Sequence, residues 1–393
     1  MHLADSSDSD AFRREVRSWL EKNFTPAIQR ALNKYAGREL KDAVHAWQSR
    51  VHAAGLAAYS WPRQYGGQGG GAIHELILAE EFAAAGLPRS AFRIGYLTGR
   101  AMMAHSSREQ SAEFVPKIAN GAHLWAAAFS EPGIGSDIAS IQTRAIEVSG
   151  GFKIRGQKVW STFAHIADYC FVLAKTGSEG AKSKSLSVFA VDMSLPGVSV
   201  RPIKQINGRS EFNEIFFDGV DVPAARAIGP IGDGWKVAMT FFDYERRGIA
   251  DFGFYCQRAF RELVKVAAET TRPGSGSRLI DDRNVRKKIA QLGAEARVAV
   301  LNNYRFVTQG AGPGQLPGPE TSLQKLHSTE LYKSMHALTL ELAMHGDYRE
   351  ARVADRIVQA TEDWMTSFGW TIAGGTSQIQ RNIVGERILR LPR

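Results

Sequence analysis

Residues 129–137 read Phe-Ser-Glu-Pro-Gly-Ile-Gly-Ser-Asp, and the pattern of the chain changes around this stretch. Before it, apolar residues recur at the spacing of helices. After it come short apolar or alternating runs, separated by Gly-Gly, Asp-Gly and polar loops. Such runs predict β-strands of a compact barrel or sandwich. No long helical pattern interrupts them before residue 228, which disfavours parallel βαβ units. The predicted strands lie at 152–160, 169–174, 186–191, 198–203 and 215–222.

The chain before this stretch predicts helices. Phe12, Val16 and Leu20 recur at i, i+4 and i+8, and Ser9 and Asp10 are candidate N-caps for that helix. Two further apolar stripes follow at helical spacing, and Gly55 closes the first of them as a residue just beyond a helix end. These stripes are Leu40, Val44, Trp47 and Val51, and then Leu76, Leu78 and Phe82.

After Pro230 the helical period returns and persists to the end of the chain. Gly-, Pro- and Ser-rich breaks near 272–277 and 310–319 predict loops between helices. The stripes are Ile289, Leu292, Ala296 and Val300, and then Leu331, Met335, Leu338 and Leu342. We therefore predict a mainly α protein with a central β-domain: N-terminal helices (1–120), a middle β-domain (121–228) and a C-terminal four-helix bundle (229–393).

The composition is that of a globular protein, with 44 % apolar and 23 % charged residues in a chain of 393. No run of about 18 apolar residues and no signal or transit peptide is recognisable, so we expect a cytoplasmic protein with no membrane span. Cys170 and Cys256 form neither a disulfide framework nor a metal motif, and no metal site is expected. Cys170 lies in an apolar run and is typical of a buried small residue.

The net charge of +9 has two interpretations. A basic surface can simply favour solubility, or it can indicate a phosphate-rich partner, which is either nucleic acid or a phosphorylated small molecule. The positive residues are spread along the chain without a dense run, which favours the small molecule. No GxGxxG and no Walker A motif occurs, so Rossmann dehydrogenases and P-loop enzymes are disfavoured.

Two segments offer groups suited to a flavin or a phosphate. The loop 129–137 brings backbone N–H groups and two hydroxyls close together, although such a loop is more often only a tight turn. The segment 156–162, Gly-Gln-Lys-Val-Trp-Ser-Thr, predicts a strand with an indole beside two hydroxyls; taken alone, it favours a core tryptophan.

These two segments, together with 214–223, 229–239 and 375–381, come in an order and spacing that resemble the acyl-CoA dehydrogenase family over nearly the whole chain. The resemblance implies the same three-domain fold, usually as a tetramer, with FAD as cofactor. It also implies that Thr162 hydrogen-bonds flavin N5 and that Ser136 contacts the cofactor region and the CoA moiety. The residues implied to line the isoalloxazine ring are Phe129, Ser130, Trp160, Ser161 and Thr162.

The catalytic base is where the chain departs from many relatives, which carry a glutamate at the position of Gly374. Phe241, Glu245 and Ile249 recur at i, i+4 and i+8, so Glu245 is a carboxylate in an apolar helical stripe, where carboxylates are rare without partners. An ion pair with a flanking arginine or with another helix is the alternative. A subset of the family, including the isovaleryl and long-chain types, has its base at this helix position, and the resemblance therefore implies that Glu245 is the base.

The reaction implied is an α,β-dehydrogenation of an acyl-CoA thioester. Glu245 takes the α-proton and flavin N5 accepts the β-hydride, while the backbone N–H at Gly374 and a ribityl hydroxyl donate to the thioester oxygen. Glycine at 374 also leaves room for a branched or bulky acyl chain. The substrate contacts expected are Ser136, Phe242, Asp243, Arg246 and Gly374, and Phe241 and Tyr244 are expected to help shape the pocket.

Thr376 and Gln378 open the last predicted helix, whose amides favour a phosphate. In the family this segment meets the adenosine diphosphate of FAD in a neighbouring subunit. The family's Arg-x-x-Phe-Gly segment has no counterpart in 271–282, and its Gly-Gly-x-Gly stretch is shortened to 363–370. We therefore expect either a homo-oligomer (dimer or tetramer) or a heterotetramer whose partner shares the FAD site.

The expected redox partner is an electron-transfer flavoprotein. Two other classes of function stay open at this point. One is a flavin oxidase or monooxygenase on the same fold, which would produce peroxide rapidly in air. The other is a basic nucleic-acid-binding relative, which would show steeply salt-dependent DNA affinity and ranks last.

Overall fold

The computed structural model describes residues 7–32, 37–87, 90–177, 185–310 and 318–392. At residues 90–92, 246–250 and 307–310 only the backbone is described. The chain forms two compact units: one is built from Arg14–Glu75 and Gly86–Tyr244, and the other from the chain up to Arg13, Leu76–Ala85 and the chain from Glu245 onward. The domain boundaries at residues 120 and 228 stay a prediction.

Helices fill the described chain before the first strand. The apolar stripe of the first helix is buried as predicted, with Val16 fully inaccessible. The predicted caps were wrong, because that helix already begins at Ser7 and so contains Ser9 and Asp10; acidic residues are favourable throughout a first helical turn. The helices are α1 Ser7–Asn23, α2 Pro26–Leu32, α3 Arg38–Ala53, α4 Ala72–Ala85, α5 Ser90–His105 and α6 Arg108–Ala119.

Helix α3 ends as the sequence predicts. Gly55 has φ +70°, and its N–H donates to the carbonyl of His52 at 2.8 Å. The N–H of Leu56 reaches back to the carbonyl of Val51 at 3.0 Å. This pair of bonds is the Schellman motif, which satisfies carbonyls that a helix end leaves without partners.

The middle of the chain forms one sheet of eight described strands, in the order β6-β7-β3-β2-β4-β5-β8, with β1 beside β4. Most neighbours are antiparallel, while β1 and β2 pair with β4 in parallel. All five predicted strands are present, as β3 to β7. The bounds are β1 Trp125–Ala128, β2 Arg144–Val148, β3 Gly151–Thr162, β4 Tyr169–Lys175, β5 Leu186–Asp192, β6 Val198–Pro202, β7 Phe212–Pro223 and β8 Ala227–Ile228.

Strand β4 shows why its sequence is continuously apolar. Phe171 and Leu173 join one apolar cluster, which also contains residues of α5 and α6. Cys170 and Val172 point the other way into a second cluster, formed largely by residues of the sheet. Since both faces of the strand are covered, apolar and polar residues do not alternate along it. The prediction that Cys170 is a buried small residue is confirmed, and burial raises the pKa of its thiol.

The chain after the sheet forms helices whose central members pack as a bundle. Helices α8 to α11 contact one another through the predicted stripes, and Met335 is completely buried. The helices are α7 Gly234–Ala250, α8 Phe252–Glu269, α9 Arg283–Gly310, α10 Glu320–Ala343, α11 Ala351–Ile372 and α12 Ser377–Ile383. The predicted break at 310–319 lies largely outside the described residues. The predicted fold class is confirmed: N-terminal helices, a middle sheet domain and C-terminal helices.

Candidate active site

The loop 129–137 is a tight turn fixed to the sheet. The N–H groups of Glu131 and Ile134 donate to each other's carbonyls at 2.8 and 2.9 Å, and the carbonyl of Ser130 accepts from Val159 N at 2.9 Å. Ser136 is exposed on the far side of the turn. The loop therefore has a rigid first half that belongs to the sheet, with its second half open to solvent.

A buried ion pair anchors this loop. Lys158, fully inaccessible on β3, places its Nζ 3.0 Å from the Glu131 carboxylate and also donates to the carbonyl of Phe129 at 3.0 Å. Glu131 accepts two further bonds, from Gln142 N at 2.6 Å and Thr143 N at 2.8 Å. Burial opposes its charge, but Lys158 and these amides outweigh that effect, so the pKa of Glu131 lies below its usual range. Burial lowers the pKa of Lys158 to about 8 against the attraction of Glu131.

Strand β3 bulges next to this pair. The register with β7 shifts between Lys158 and Ser161, and Trp160 within the bulge has φ +63° and is 57 % exposed. Its indole touches only the edge of Phe212 among the described aromatic rings, with centroids 6.2 Å apart. A large apolar ring held outward in a left-handed backbone conformation is unusual, and it indicates a surface that a planar ligand can cover.

The neighbouring hydroxyls behave differently from each other. Ser161 is 2 % exposed, and no described residue hydrogen-bonds its Oγ. Thr162 is half-buried at the end of β3, opposite Phe212. A buried hydroxyl without a partner is costly, and a bound group is one way to satisfy it. Both features suit a cofactor that carries hydrogen-bonding groups on a flat ring.

Aromatic side chains connect the loop to α7. Phe129 lies with its ring centroid 5.0 Å from Phe241 and 4.7 Å from Phe242. Phe241 is buried, whereas Phe242 and Tyr244 are half-buried. Arg100 lies over the Tyr244 ring at 5.1 Å. The structure therefore places Phe242 beside Phe129, two residues that sequence analysis assigned to substrate and cofactor respectively.

Glu245 is half-buried near the middle of α7, one turn after Phe241, and Asp243 is also half-buried. The charge of Glu245 acts on Lys325 of α10, which is completely buried. A lysine on another helix is therefore within electrostatic range of Glu245, and both interpretations of Glu245 stay predictions. The predicted Arg246 and Ile249 contacts lie outside the described side chains.

The segment 373–376 joins α11 to α12 and depends on its two glycines. Gly374 has φ +66° and Gly375 has φ +91°, conformations that favour glycine. Gln380 Nε2 donates to both of their carbonyls, at 3.0 and 3.2 Å, and Lys325 Nζ donates to that of Gly375 at 2.8 Å. Thr376 caps α12 by accepting from Ile379 N at 3.2 Å. Gln378 is exposed, on the first turn of that helix.

The left-handed backbone of Gly375 and its contact with Gln380 lead to a prediction about stability. We expect Gly375→Ala to lower the free energy of unfolding by about 1–2 kcal/mol through its left-handed backbone. The new Cβ would also lie 2.5 Å from Gln380 Nε2 and displace it, which adds about 1–3 kcal/mol through the loss of its bonds to the carbonyls of Gly374 and Gly375. Chemical denaturation measures the loss. The matched control is Gly274→Ala, where φ is +85° and nothing lies within 4 Å. Equal losses at the two positions would contradict the role given to Gln380.

The two family segments that are missing from the sequence correspond to simple local structure. Residues 271–282 form a loop with a bridge between Thr271 and Arg278, and Arg272 pairs with Asp282 at 2.8 Å. Residues 363–370 lie inside the continuous helix α11. The chain therefore builds neither segment from these residues.

Sequence analysis missed three residues that hold the segments described above, and two of them have some signal in the sequence. The apolar stripe of α10, extended back from Leu331 by helical steps, reaches Lys325, where a lysine is out of place. Lys158 is likewise a charged residue directly before the apolar Val159 and Trp160 of a predicted strand. Gln380 has no such signal, because its role depends on the path of the preceding glycines.

Neither a metal centre nor a membrane span is found in the part of the chain that the structure describes. Across those ranges, no group of three or more His, Cys, Asp or Glu side chains converges as a metal site would require. Among the described helices, none combines the length and apolar character needed to cross a membrane.

Comparison with known proteins agrees with this architecture. Models of the N-terminal, middle and C-terminal domains of acyl-CoA dehydrogenases match residues 6–122, 126–220 and 232–389. The acyl-CoA dehydrogenase IpdE1 of Mycobacterium tuberculosis is 34 % identical over 397 residues, covering 98 % of each chain. The chain belongs to the acyl-CoA dehydrogenase family. It is accordingly an enzyme, an oxidoreductase of that type.

Two solved structures are similar over full length. One is the ChsE4-ChsE5 complex from Mycobacterium tuberculosis, with 29 % identity, a TM-score of 0.85 and complete coverage of both chains. The other is the Tcur3481-Tcur3483 steroid acyl-CoA dehydrogenase, with 26 % identity, a TM-score of 0.87 and complete coverage of both chains.

Proposed function

We propose that this chain dehydrogenates an acyl-CoA thioester across its α and β carbons, with FAD as the cofactor and Glu245 as the base. The observation that carries the proposal is that the fully buried Lys325 donates to the Gly375 carbonyl at 2.8 Å, in the segment that would bind the thioester oxygen. The charge of Glu245 also acts on this ammonium, so the proposed base and the glycine-rich segment share one buried cation. Family membership supplies the reaction class.

The residues around the bulge fit a flavin. Trp160 offers an exposed ring face, and the buried Ser161 Oγ lacks a partner among the described residues. The residues proposed to hold the ring are Phe129, Ser130, Trp160, Ser161 and Thr162, with Ser136 nearby and Thr376 and Gln378 for the adenosine diphosphate of a neighbouring subunit. When bound, FAD supplies the two-electron acceptor for the hydride that leaves the β carbon.

The chain's own groups handle the proton and the developing charge. The Glu245 carboxylate takes the α-proton, and the electrons of that C–H bond form the new double bond as the hydride departs from the β carbon. The thioester oxygen becomes more negative during this step, and the backbone N–H of Gly374 is proposed to donate to it. A backbone donor does not depend on a side chain, so glycine at this position retains it.

We also propose a bulky, ring-containing acyl group as the substrate class. Gly374 has no side chain to fill the space that a glutamate occupies in many relatives. The Tcur3481-Tcur3483 relative is named a steroid acyl-CoA dehydrogenase. Phe242, Asp243 and Arg246 are the proposed contacts of the acyl side, and an electron-transfer flavoprotein is the proposed electron acceptor.

A heteromeric assembly is the second candidate, and specific observations favour it. Both full-length structural relatives carry two-chain names, ChsE4-ChsE5 and Tcur3481-Tcur3483. Helix α11 leaves Val358, Phe368 and Ile372 exposed by 58, 43 and 63 %. An apolar face of this kind is typical of a surface that another chain covers. A partner chain would also replace the FAD contacts of the two missing segments.

An anaerobic titration of the isolated protein tests the proposed function. Thioesters of straight-chain, branched and ring-containing acids are added while the visible spectrum of bound flavin is recorded. We expect a ring-containing thioester to bleach the flavin at lower concentration than the straight-chain ones. Bleaching by straight-chain thioesters alone would overturn the substrate class. A flavin that no thioester reduces would overturn the proposed reaction.

Co-purification distinguishes the two assemblies. The chain is expressed alone and with the genes that neighbour its own, and the flavin content and mass of each product are measured. A heteromer predicts that flavin is retained only when a second chain is present. Full flavin occupancy in a homo-oligomer would instead establish that the chain completes the FAD site by itself.

A further inference from the structure

Lys325 is an ammonium in the interior of the bundle. Its side chain on α10 is completely inaccessible, and a buried ammonium requires nearby partners because it loses the solvation of water. One partner is neutral, since Nζ donates to the carbonyl of Gly375 at 2.8 Å. The others are charged, and they include the proposed base.

Two carboxylates act on Lys325, one from α7 and one from its own helix. Burial lowers the pKa of Lys325 to about 8, and the charges of Glu245 and then Glu330 oppose this lowering. Glu330 also pairs with Lys333 at 2.6 Å and accepts from Ser377 Oγ at 2.6 Å, so its charge is shared among several groups. Glu245 is thus the carboxylate whose charge counts most for Lys325.

The same ammonium belongs to the clamp on the segment 373–376. Ala373 N–H donates to the carbonyl of Gly369 at 2.9 Å, and the carbonyls of Gly374 and Gly375 are held by Gln380 and Lys325. Peptide planes are rigid, so fixing these groups fixes the backbone on both sides of the Gly374 N–H. That N–H is the proposed donor to the thioester oxygen.

We propose that Lys325 is a positioning residue for α-proton removal, whose N–H holds the Gly374–Thr376 segment in place and whose buried charge attracts the Glu245 carboxylate. The inference rests on the proposed function. As the proton moves to Glu245, negative charge leaves the carboxylate and grows on the thioester oxygen. Lys325 contacts the segment that would hold this oxygen, so it faces negative charge before and after the transfer.

The groups around Lys325 determine what a pH profile reports. Two carboxylates act on Lys325, Glu245 on α7 and Glu330 on its own helix. Other titratable or charged side chains on α10 and on the helices that contact it include Cys256 on α8, Glu295 on α9, His327 and Lys333 on α10, and Arg381 on α12. Glu295 and His327 lie 3.8 Å from each other, and burial raises the pKa of the Cys256 thiol. Among these groups Glu245 is the proposed base, so the acid limb of the exchange profile is expected to report on it.

The test follows the exchange of α-hydrogens in the 3-thia analogue of the thioester that reduces the flavin best. Sulfur replaces the β carbon of this thioester, so the α-proton can be removed while no hydride can leave. The protein is used as isolated, with any chain that co-purifies, and deuterium incorporation from heavy water is measured by mass spectrometry across pH. Flavin content and melting temperature are recorded for each variant.

Lys325→Met removes the charge and the donor and keeps an unbranched side chain that is one atom shorter. Without the cation, the pKa of Glu245 rises, so the carboxylate is protonated at higher pH. We expect the rising acid limb of the exchange profile to move up by about one pH unit or more, which slows exchange about tenfold on that limb. Lys325→Gln restores a neutral N–H donor. Its acid limb should therefore move as far as that of Lys325→Met, while the segment 373–376 is held better. If Lys325→Met does not fold, Lys325→Gln is compared with the wild type instead.

Lys333→Met is the matched control, because it removes a positive charge from the same helix at a side chain that is 30 % exposed. We expect it to leave the acid limb in place. A wild-type profile in Lys325→Gln would overturn the electrostatic role of Lys325 and leave the proposed function intact. Wild-type protein that binds the thioester without exchanging its α-hydrogens would overturn both.

Discussion

Glu245→Gln is expected to lower the rate of dehydrogenation by about 10²- to 10⁴-fold, the range that a positioned general base contributes. The amide has the shape of the carboxylate but accepts no proton at neutral pH. Gly374 stands where many relatives have their base, so no second carboxylate is expected at that position to replace it. Flavin content and thioester affinity should stay near wild type, since neither requires proton transfer.

Stopped-flow reduction of the bound flavin by the best thioester measures this effect directly. Glu262→Gln on α8 is the control, because it removes one exposed carboxylate from the same part of the chain. Glu245→Asp keeps the charge on a shorter side chain, so its rate of flavin reduction should lie between those of Glu262→Gln and Glu245→Gln. Reduction by Glu245→Gln at more than about a tenth of the wild-type rate would show that another group is the base.

Lys158→Met is expected to lower the free energy of unfolding by about 3–5 kcal/mol, as breaking a buried ion pair typically does. The substitution leaves the Glu131 carboxylate buried, at 6 % exposure, without the ammonium 3.0 Å away. The carbonyl of Phe129 loses a donor at the same time. Since both residues belong to the loop 129–137, flavin retention should fall together with stability.

Urea denaturation and flavin retention on a desalting column measure both effects. Lys153→Met is the matched control on the same strand, where the exposed pair with Asp221 at 2.7 Å should contribute about 1 kcal/mol or less. The double variant Lys158→Met with Glu131→Gln should recover part of the loss, because no charge is left buried without a partner. Equal losses for Lys158→Met and Lys153→Met would contradict the anchoring role.

Most of the fold could be predicted because helices and strands have local periods. The stripes at Val16, Val44 and Met335 are all buried, and the end of α3 at Gly55 follows from its conformational freedom. Strand β1 was missed because it reads Trp-Ala-Ala-Ala, and alanine has little β preference. It is a strand because it pairs with the buried β4.

The candidate site could be predicted only in part. Motif resemblance located the loop 129–137, the Trp160 segment and Glu245, because these are continuous stretches whose residue types are distinctive. It gave no indication of the left-handed conformation of Trp160, which arises where the register of β3 and β7 shifts. The roles of these residues in cofactor and substrate binding stay predictions that the experiments above address.

The sequence by itself determined the order of helices and strands and the family, because each depends on residue types and spacings within short stretches, and it led to Glu245 as the proposed base. The tertiary structure decided which charges are buried and what they hold. Lys158 meets a carboxylate 27 residues away, and Lys325 meets a carbonyl 50 residues away. The sequence does not distinguish an exposed lysine from a buried one. Only the packing of distant segments removes water from the ammonium, and a buried ammonium then requires a partner.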